Sequence, residues 1–314
     1  MKFKIPLWLK LAVSVGLLIF LFKNTDLNEA WRNVRNVPPT LILLALFANL
    51  AAILINSYRW AIIIPVSLTW QNVKPLIIAS YLGTFYSVFL PSTLGGDLIK
   101  WGLAGRPASR ARTASSIFID RLVGLISSTL LSLMALASLY FFNQSSVPTL
   151  IFQLVSGVSL VILTAIITWL LLVKFAPSFL EHLPIPVSLK DPSLMKITSK
   201  QLCFSSLITF FNQLVVVSSS YLLVRAINID LNWFQLLLVT QLSWLVAVIP
   251  ISFGGFGATE ISLVFLASLF GASNQSVLPY VSLGLALRLL IIIFSGIIGW
   301  ALFLPSRSQT INAK

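Results

Sequence analysis

Long uninterrupted apolar segments constrain the fold of this chain more than any other feature of its sequence. Six of them approach or exceed the ~20 residues that cross a bilayer as a helix. They lie at about 7–22, 40–64, 113–142, 149–173, 203–227 and 279–304. Only helices and closed barrels satisfy backbone groups in lipid, and a barrel would need shorter segments of alternating polarity. The segments therefore predict an all-α polytopic integral membrane protein.

The charge content supports this assignment. Charged residues make up 9% of the 314 residues, hydrophobic residues make up 58%, and the mean hydropathy is +0.97. Ordinary soluble domains carry about 25% charged residues, so this chain has too little charge to cover a globule of its size. Its net charge of +13 then indicates cytoplasmic loops and contact with anionic lipid headgroups, with no nucleic-acid partner.

Two further apolar regions, at about 75–104 and 233–271, are interrupted by proline and glycine. The first break has the sequence L-P-S-T-L-G-G-D and ends at Asp97, and the second has P-I-S-F-G-G-F-G-A-T-E and ends at Glu260. Irregular backbone at membrane depth is tolerated only inside protein or beside a wet cavity. We interpret both regions as re-entrant or broken helical hairpins. The prediction is about six full transmembrane helices plus two hairpins, about 8–10 hydrophobic segments in all.

The distribution of lysine and arginine predicts the topology. With both regions treated as hairpins, 14 of the 21 basic residues are cytoplasmic, 4 are outside and 3 lie inside spans. This bias predicts that the N-terminus and the C-terminus are both cytoplasmic. The hairpins then enter from opposite faces, and the two halves form an approximate inverted repeat. Paired interrupted segments of this kind indicate the substrate site of a transporter.

No separate soluble domain is predicted within residues 1–314, which we interpret as a single transmembrane domain. Its longest polar segment, 174–200, contains four prolines and is predicted to be a cytoplasmic connector loop. The first apolar run follows basic residues as in a signal sequence, but no small-residue cleavage site follows it. We therefore predict that this run is retained as the first transmembrane helix.

Six charged side chains fall inside the predicted spans or at the two breaks. Each costs roughly 2.5–3.5 kcal/mol on insertion scales, so each needs a partner or a wet cavity. The predicted substrate-binding residues are Arg59, Asp97, Asp120, Arg121, Glu260 and Arg288. For Arg59, a role as an anchor at the membrane interface, beside its aromatic neighbours, is as well supported as a role in substrate binding.

Glycines at the two breaks form the second part of the predicted site. Each break precedes a short helix, and the bare backbone N–H groups at a helix N-terminus favour an anion such as phosphate. These glycines are Gly95, Gly96, Gly254, Gly255 and Gly257. The carboxylates of Asp97 and Glu260 argue against a phosphate directly beside them. Both acids are alternatively helix caps, partners of Arg121 or Arg288, or ligands of a cationic headgroup.

The sequence contains no pattern that indicates catalysis. Cys203 is the single cysteine and His182 the single histidine, so the usual metal sites and a Ser-His-Asp triad are hard to build. No Walker-type G-x-x-x-x-G-K-[ST] motif indicates ATP binding. We predict that the protein is not an enzyme and binds no metal ion and no cofactor.

Three motifs together resemble the lysylphosphatidylglycerol synthase transmembrane region, a flippase-like family. They are L-P-S-T-L-G-G-D-L-I-K, S-I-F-I-D-R-L-V-G-L and I-P-I-S-F-G-G-F-G-A-T-E, in this order over nearly the whole chain. In full-length bacterial members, the membrane region moves aminoacylated phosphatidylglycerol between leaflets, and a C-terminal soluble domain makes that lipid. The resemblance implies a site that contains Asp97, Asp120, Arg121 and Glu260, with the glycines at the two breaks.

The chain departs from the family pattern at two positions. Lys100 and Thr259 stand where family members commonly have arginine, which argues against carrying over a specificity for lysylated lipid. Because the sequence ends ten residues after its last predicted span, we expect a stand-alone member that lacks the synthase domain.

The residues and the resemblance together predict a lipid translocase or lipid-binding transporter in a bacterial cell (inner) membrane. It would hold a phospholipid headgroup, anionic or aminoacylated, at the mid-membrane charged site. The alternative is a membrane subunit of, or accessory to, a lipid-modifying transferase with a separate soluble enzyme. A small-solute or ion transporter is a third hypothesis. The lipid, the direction, the energy source and assembly into a homo-oligomer are left open; proton exchange at one of the acids is one candidate energy source.

Overall fold

The computed structural model describes residues 16, 19, 32, 34–64, 67–89, 95–104, 109–142, 147–175, 197–248, 252 and 255–311. Most of the predicted first span at 7–22 and of the predicted connector at 174–200 lies outside these residues. Gly254 and the prolines of both breaks lie outside them as well.

All regular structure in these ranges is α-helical, and nine helices are described. They are α1 (Pro39–Ile63), α2 (Trp70–Tyr86), α3 (Gly95–Leu103), α4 (Arg110–Phe142), α5 (Thr149–Phe175), α6 (Ser199–Ala226), α7 (Trp233–Val248), α8 (Ala258–Leu269) and α9 (Asn274–Ile311). Parts of α1, α4, α6 and α9 are long and apolar enough to cross a membrane, and α5 covers the predicted span at 149–173. The prediction of an all-α polytopic membrane protein is confirmed.

Each interrupted region folds into two helices that pack against each other, α2 with α3 and α7 with α8. These helices have 17, 9, 16 and 12 residues. At 1.5 Å per residue, even the longest falls short of the ~30 Å of a bilayer core. The regions therefore form two broken hairpins, as their proline and glycine breaks predict.

Glycine allows the close approach of α2 and α3. A Cβ atom added to Gly83 would lie 2.9 Å from the carbonyl oxygen of Gly96, and one added to Gly96 would lie 2.8 Å from that of Gly83. Because both neighbours are backbone atoms, neither could move aside without separating the helices. This crossing holds the start of α3 inside the protein.

The halves make matching contacts when α1, α2, α3 and α4 are paired with α6, α7, α8 and α9. α2 packs on α9 while α7 packs on α4, as a two-fold relation requires. α1 and α6 pack against each other, with Arg59 donating to Thr209 and Gln201 donating to the carbonyl of Ile62. Ile62 follows Arg59, whereas Gln201 precedes Thr209, so the two helices are antiparallel. An in-plane two-fold axis produces this arrangement, as the predicted inverted repeat requires.

Candidate functional site

The six charged side chains predicted for the site form three ion pairs within the described part of the chain. The pairs are Asp97 with Arg121, Arg59 with Asp120, and Glu260 with Arg288. Each acid therefore has an arginine partner, in agreement with the pairing alternative. Binding of a headgroup by these side chains stays a prediction.

The first pair joins the short helix of the first hairpin to the long helix that follows it. Asp97 is the third residue of α3, and Arg121 of α4 donates a hydrogen bond from Nε to its Oδ2 atom. The side chain of Arg121 remains 28% exposed. The guanidinium group is thus held by a carboxylate, and part of the side chain remains exposed.

The second pair is more deeply buried and joins three helices. The Nη2 atom of Arg59, on α1, lies 2.7 Å from Oδ1 of Asp120 on α4. Its Nη1 atom donates to Oγ1 of Thr209 on α6 at 2.6 Å. Only 7% of the Arg59 side chain is exposed, so the alternative of an interfacial anchor is wrong. The arginine points inward because its ion-pair partner Asp120 and its hydrogen-bond acceptor Thr209 both lie on neighbouring helices.

Lys100 brings a third cation to this part of the structure. Its ammonium nitrogen lies 5.7 Å from the centroid of the Trp60 ring, which is buried beside Arg59. The indole nitrogen of Trp60 donates to Oγ of Ser116 on α4 at 2.9 Å. Lys100 thus adds a third cation near the two ion pairs, Arg59 with Asp120 and Arg121 with Asp97. We call these five charged residues the first charge group.

The third pair lies in the second hairpin, where Glu260 is the third residue of α8. Its Oε2 atom accepts a hydrogen bond from the backbone N–H of Gly257 at 2.7 Å, and its Oε1 atom lies 3.3 Å from Nη1 of Arg288. Glu260 therefore caps its own helix and also pairs with an arginine. The N–H of Gly257 is occupied by this carboxylate, so the predicted anion site at that backbone group requires Glu260 to move away.

An aromatic ring and a glycine complete this second charge group, which consists of Glu260, Arg288, Phe256 and Gly257. The guanidinium carbon of Arg288 lies 3.9 Å from the centroid of the Phe256 ring. Gly255 has a φ of +82°, and a Cβ atom added there would lie 3.5 Å from Nη2 of Arg288. The break thus brings backbone and ring against the arginine, whose side chain is 32% exposed.

The two glycines of the first break have a clear packing role. Gly95 and Gly96 are buried at the start of α3, and Gly96 forms the crossing with α2. Anion binding by their backbone N–H groups stays a prediction.

One link between the two charge groups runs through α4 and α7. Gly124 lies one turn after Arg121, and a Cβ atom added to it would meet the Trp244 ring at 3.5 Å. Trp244 lies one turn before Ala247, whose Cβ is 3.4 Å from a Cβ atom added to Gly255. The two breaks thus approach the same pair of packed helices from the two halves.

Sequence reasoning missed Thr209 and the contact of Lys100 with Trp60. Thr209 gave a weak signal, because a row of polar residues follows helical spacing on the otherwise apolar α6. These residues are Ser205, Thr209, Asn212 and Gln213. Lys100 gave no such signal, since basic residues near a span usually lie at the membrane surface.

Comparison with known protein families gives one match. A family model described as the lysylphosphatidylglycerol synthase TM region matches residues 7–301. The match includes both hairpins and all three ion pairs. No curated protein matches the chain.

Proposed function

The chain belongs to the lysylphosphatidylglycerol synthase transmembrane-region family, and from this premise we propose that it binds phospholipid headgroups and moves them between leaflets. The observation that carries the proposal is a repeated arrangement inside the membrane domain. Each hairpin begins its short helix with an acid at the third position, paired with an arginine of the following long helix. Charged residues at membrane depth are costly and mark substrate pathways.

The exposure of the arginines supports headgroup binding. Arg121 and Arg288 keep 28% and 32% of their side chains exposed although each is held by a carboxylate. A guanidinium group matches the geometry of phosphate and binds it through two parallel hydrogen bonds. A headgroup phosphate would replace the carboxylate as the partner of the arginine, so the buried positive charge would stay paired during transfer.

The first charge group supports an anionic headgroup in particular. The first charge group contains three cations and two carboxylates, whereas the second contains one arginine and one carboxylate. The excess positive charge favours a phosphate at the first hairpin. The acyl chains would remain outside, against the large apolar side chains that the helices expose, including Phe47, Phe211 and Ile297.

The finer assignments are part of the same proposal. We place the protein in a bacterial inner membrane with cytoplasmic termini, so that the first hairpin enters from the cytoplasm and the second from outside. It acts without a cofactor and without catalysis of its own. The alternative is a membrane subunit that works with a separate soluble lipid-modifying enzyme, which the synthase in the family's description supports.

Leaflet exchange of fluorescent phospholipids in proteoliposomes tests the proposal. Wild type is compared with Glu260→Gln and with Asp230→Asn, which removes an exposed carboxylate between α6 and α7. We expect rapid exchange in wild type and Asp230→Asn and strongly reduced exchange in Glu260→Gln. If folded wild type exchanges no anionic, zwitterionic or aminoacylated lipid between leaflets, this result would contradict translocation and favour the subunit alternative.

A further inference from the structure

A row of buried polar groups lies where α1, α4 and α6 meet. We call it the central seam, and it consists of Arg59 on α1, Asp120, Ser127 and Ser128 on α4, and Thr209 and Gln213 on α6. Besides the contacts of Arg59 with Asp120 and Thr209, Nε2 of Gln213 donates to Oγ of Ser128 at 3.0 Å. Asp120 and Ser127 are two turns apart and share one face of α4.

Four polar atoms of the central seam have no hydrogen-bond partner among the residues that the structure describes. They are Nε of Arg59, Oδ1 of Asp120, Oγ of Ser127 and Oε1 of Gln213. The Oδ1 atom of Asp120 is in ion-pair contact with Arg59 without forming a hydrogen bond. The residues Arg59 and Ser127 are more than nine-tenths buried. An unsatisfied polar group at membrane depth is costly, so these atoms favour an additional hydrogen-bonding partner. A hydrogen-bond acceptor can therefore bind beside Arg59. Water or another proton carrier can bind beside Asp120.

The charged neighbours of Asp120 come from three helices. Arg59 of α1 is its ion-pair partner, and Arg121 follows it on α4. Arg121 is held by Asp97 of α3, and the ammonium nitrogen of Lys100 on α3 lies 5.7 Å from the centroid of the Trp60 ring. From α6 the contact is the uncharged Thr209, through Arg59. If another anion takes Arg59, Asp120 loses the cation that holds it and becomes a buried unpaired carboxylate.

We propose that Asp120 takes up a proton when an anionic phospholipid headgroup binds at Arg59, so that the lipid and the proton cross together without net charge. This inference rests on the proposed function. A phosphate oxygen of the headgroup accepts hydrogen bonds from Arg59, and the carboxylate of Asp120 takes one proton from water. On the opposite side the phosphate leaves, Asp120 releases the proton to water, and the Arg59–Asp120 ion pair forms again.

Linkage makes this coupling reciprocal. An anion that binds Arg59 favours the protonated form of Asp120, and protonation of Asp120 frees Arg59 for the anion by the same factor. The free Nε atom of Arg59 gives the phosphate a donor that is not already used. A stoichiometric proton therefore couples the lipid distribution to a pH difference across the membrane.

The test uses purified full-length protein in vesicles with fluorescent phosphatidylglycerol or fluorescent phosphatidylcholine. An imposed pH difference should enrich phosphatidylglycerol in the leaflet that faces the alkaline side, by about tenfold for each pH unit. Phosphatidylcholine should stay evenly distributed. A membrane potential without a pH difference should move neither lipid, whereas an anion crossing without a proton would shift about tenfold for each 59 mV. Protein-free vesicles give the passive baseline.

Three variants locate the proton. Asp120→Asn should lose the enrichment, Asp120→Glu should keep it, and Asp230→Asn should match wild type. If Asp120→Asn does not fold, the wild-type comparison of the two lipids still decides the question. A dye trapped in the vesicles should report one proton moved with each phosphatidylglycerol.

The outcomes separate this inference from the proposed function. Exchange of phosphatidylglycerol that follows the membrane potential and ignores the pH difference would overturn proton coupling and leave translocation intact. Enrichment that persists in Asp120→Asn would overturn the assignment to Asp120. Absence of any exchange by folded wild type would overturn both proposals.

Discussion

The two hairpins begin their short helices in the same way, with an acid at the third position and an arginine from the next long helix. Asp97 pairs with Arg121 in the first hairpin, and Glu260 pairs with Arg288 in the second. Their surroundings differ. The first pair adjoins a second ion pair and a lysine, whereas the second is closed by the ring of Phe256 and the N–H of a helix cap.

The same arrangement of an acid and an arginine is therefore stabilised in two different ways. In the second hairpin, Glu260 is satisfied by its own helix and Arg288 by an aromatic face, so the pair is largely self-contained. In the first hairpin, each charge depends on side chains from other helices, and positive charge is in excess. We expect the first charge group to determine which headgroup charge is accepted and the second to hold the hairpin in shape.

The largest expected effect comes from removing one arginine in each half. Arg59→Met leaves Asp120 buried without its cation and should lower the free energy of unfolding by ~3–5 kcal/mol. Arg288→Met should have a smaller effect, because Glu260 keeps its hydrogen bond to Gly257. Thermal unfolding in detergent measures both. The double variant Arg59→Met with Asp120→Leu should recover much of the lost free energy of unfolding. Equal losses in Arg59→Met and Arg288→Met would contradict the difference between the two halves.

Glycine substitutions separate close packing from backbone conformation. Gly83→Ala should push α2 from α3, because its Cβ would meet a backbone carbonyl, while Gly255→Ala is strained by its positive φ. We expect losses of roughly 1–3 kcal/mol from either cause. Gly157→Ala on α5 meets nothing within 4 Å and serves as the control. If Gly83→Ala is as stable as Gly157→Ala, the described crossing of the first hairpin is wrong.

Neutral isosteres of the two acids should have moderate effects on stability. Glu260→Gln keeps an oxygen that can accept from Gly257 and should cost about 1 kcal/mol. Asp97→Asn should cost more, because its described partner is Arg121 alone. Chemical unfolding of both variants beside Asp230→Asn checks the order. A greater loss in Glu260→Gln would show that the ion pair, not the cap, stabilises the second hairpin.

The smallest expected effect concerns the aromatic cover of the second hairpin. Phe256→Leu removes the ring face 3.9 Å from the Arg288 guanidinium and should cost about 0.5–1 kcal/mol. Phe256→Tyr keeps a ring and is the matched control. Equal stability of wild type and Phe256→Leu would mean that the ring contributes no cation–π stabilisation.

The helices and their breaks followed from the sequence because lipid imposes strict requirements. Segment length, proline and glycine predicted both broken hairpins, and the distribution of basic residues predicted an inverted repeat that the antiparallel contact of α1 and α6 agrees with. Segment length, proline and glycine are local signals. The distribution of basic residues depends only on the side of the membrane on which each loop lies.

The partners of the charges could not be predicted in the same way. Asp120 and Arg121 are adjacent in the chain, yet they point to partners on different helices, Arg59 on α1 and Asp97 on α3. The rotation of α4 decides this, and that rotation is set by packing against α7 and α6 and, to a lesser extent, α1 and α3. The contact of Thr209 with Arg59 depends on the same packing.

In the proposed mechanism, the first charge group accepts the headgroup charge while lipid crosses between leaflets. The most direct measurement is leaflet exchange of phosphatidylglycerol and phosphatidylcholine by Arg121→Gln and Arg288→Gln side by side. We expect Arg121→Gln to slow the exchange of phosphatidylglycerol by ~10-fold or more beyond any effect on phosphatidylcholine, because a charged hydrogen bond is lost. Arg288→Gln should slow both lipids alike. Equal slowing of both lipids by folded Arg121→Gln would contradict the account.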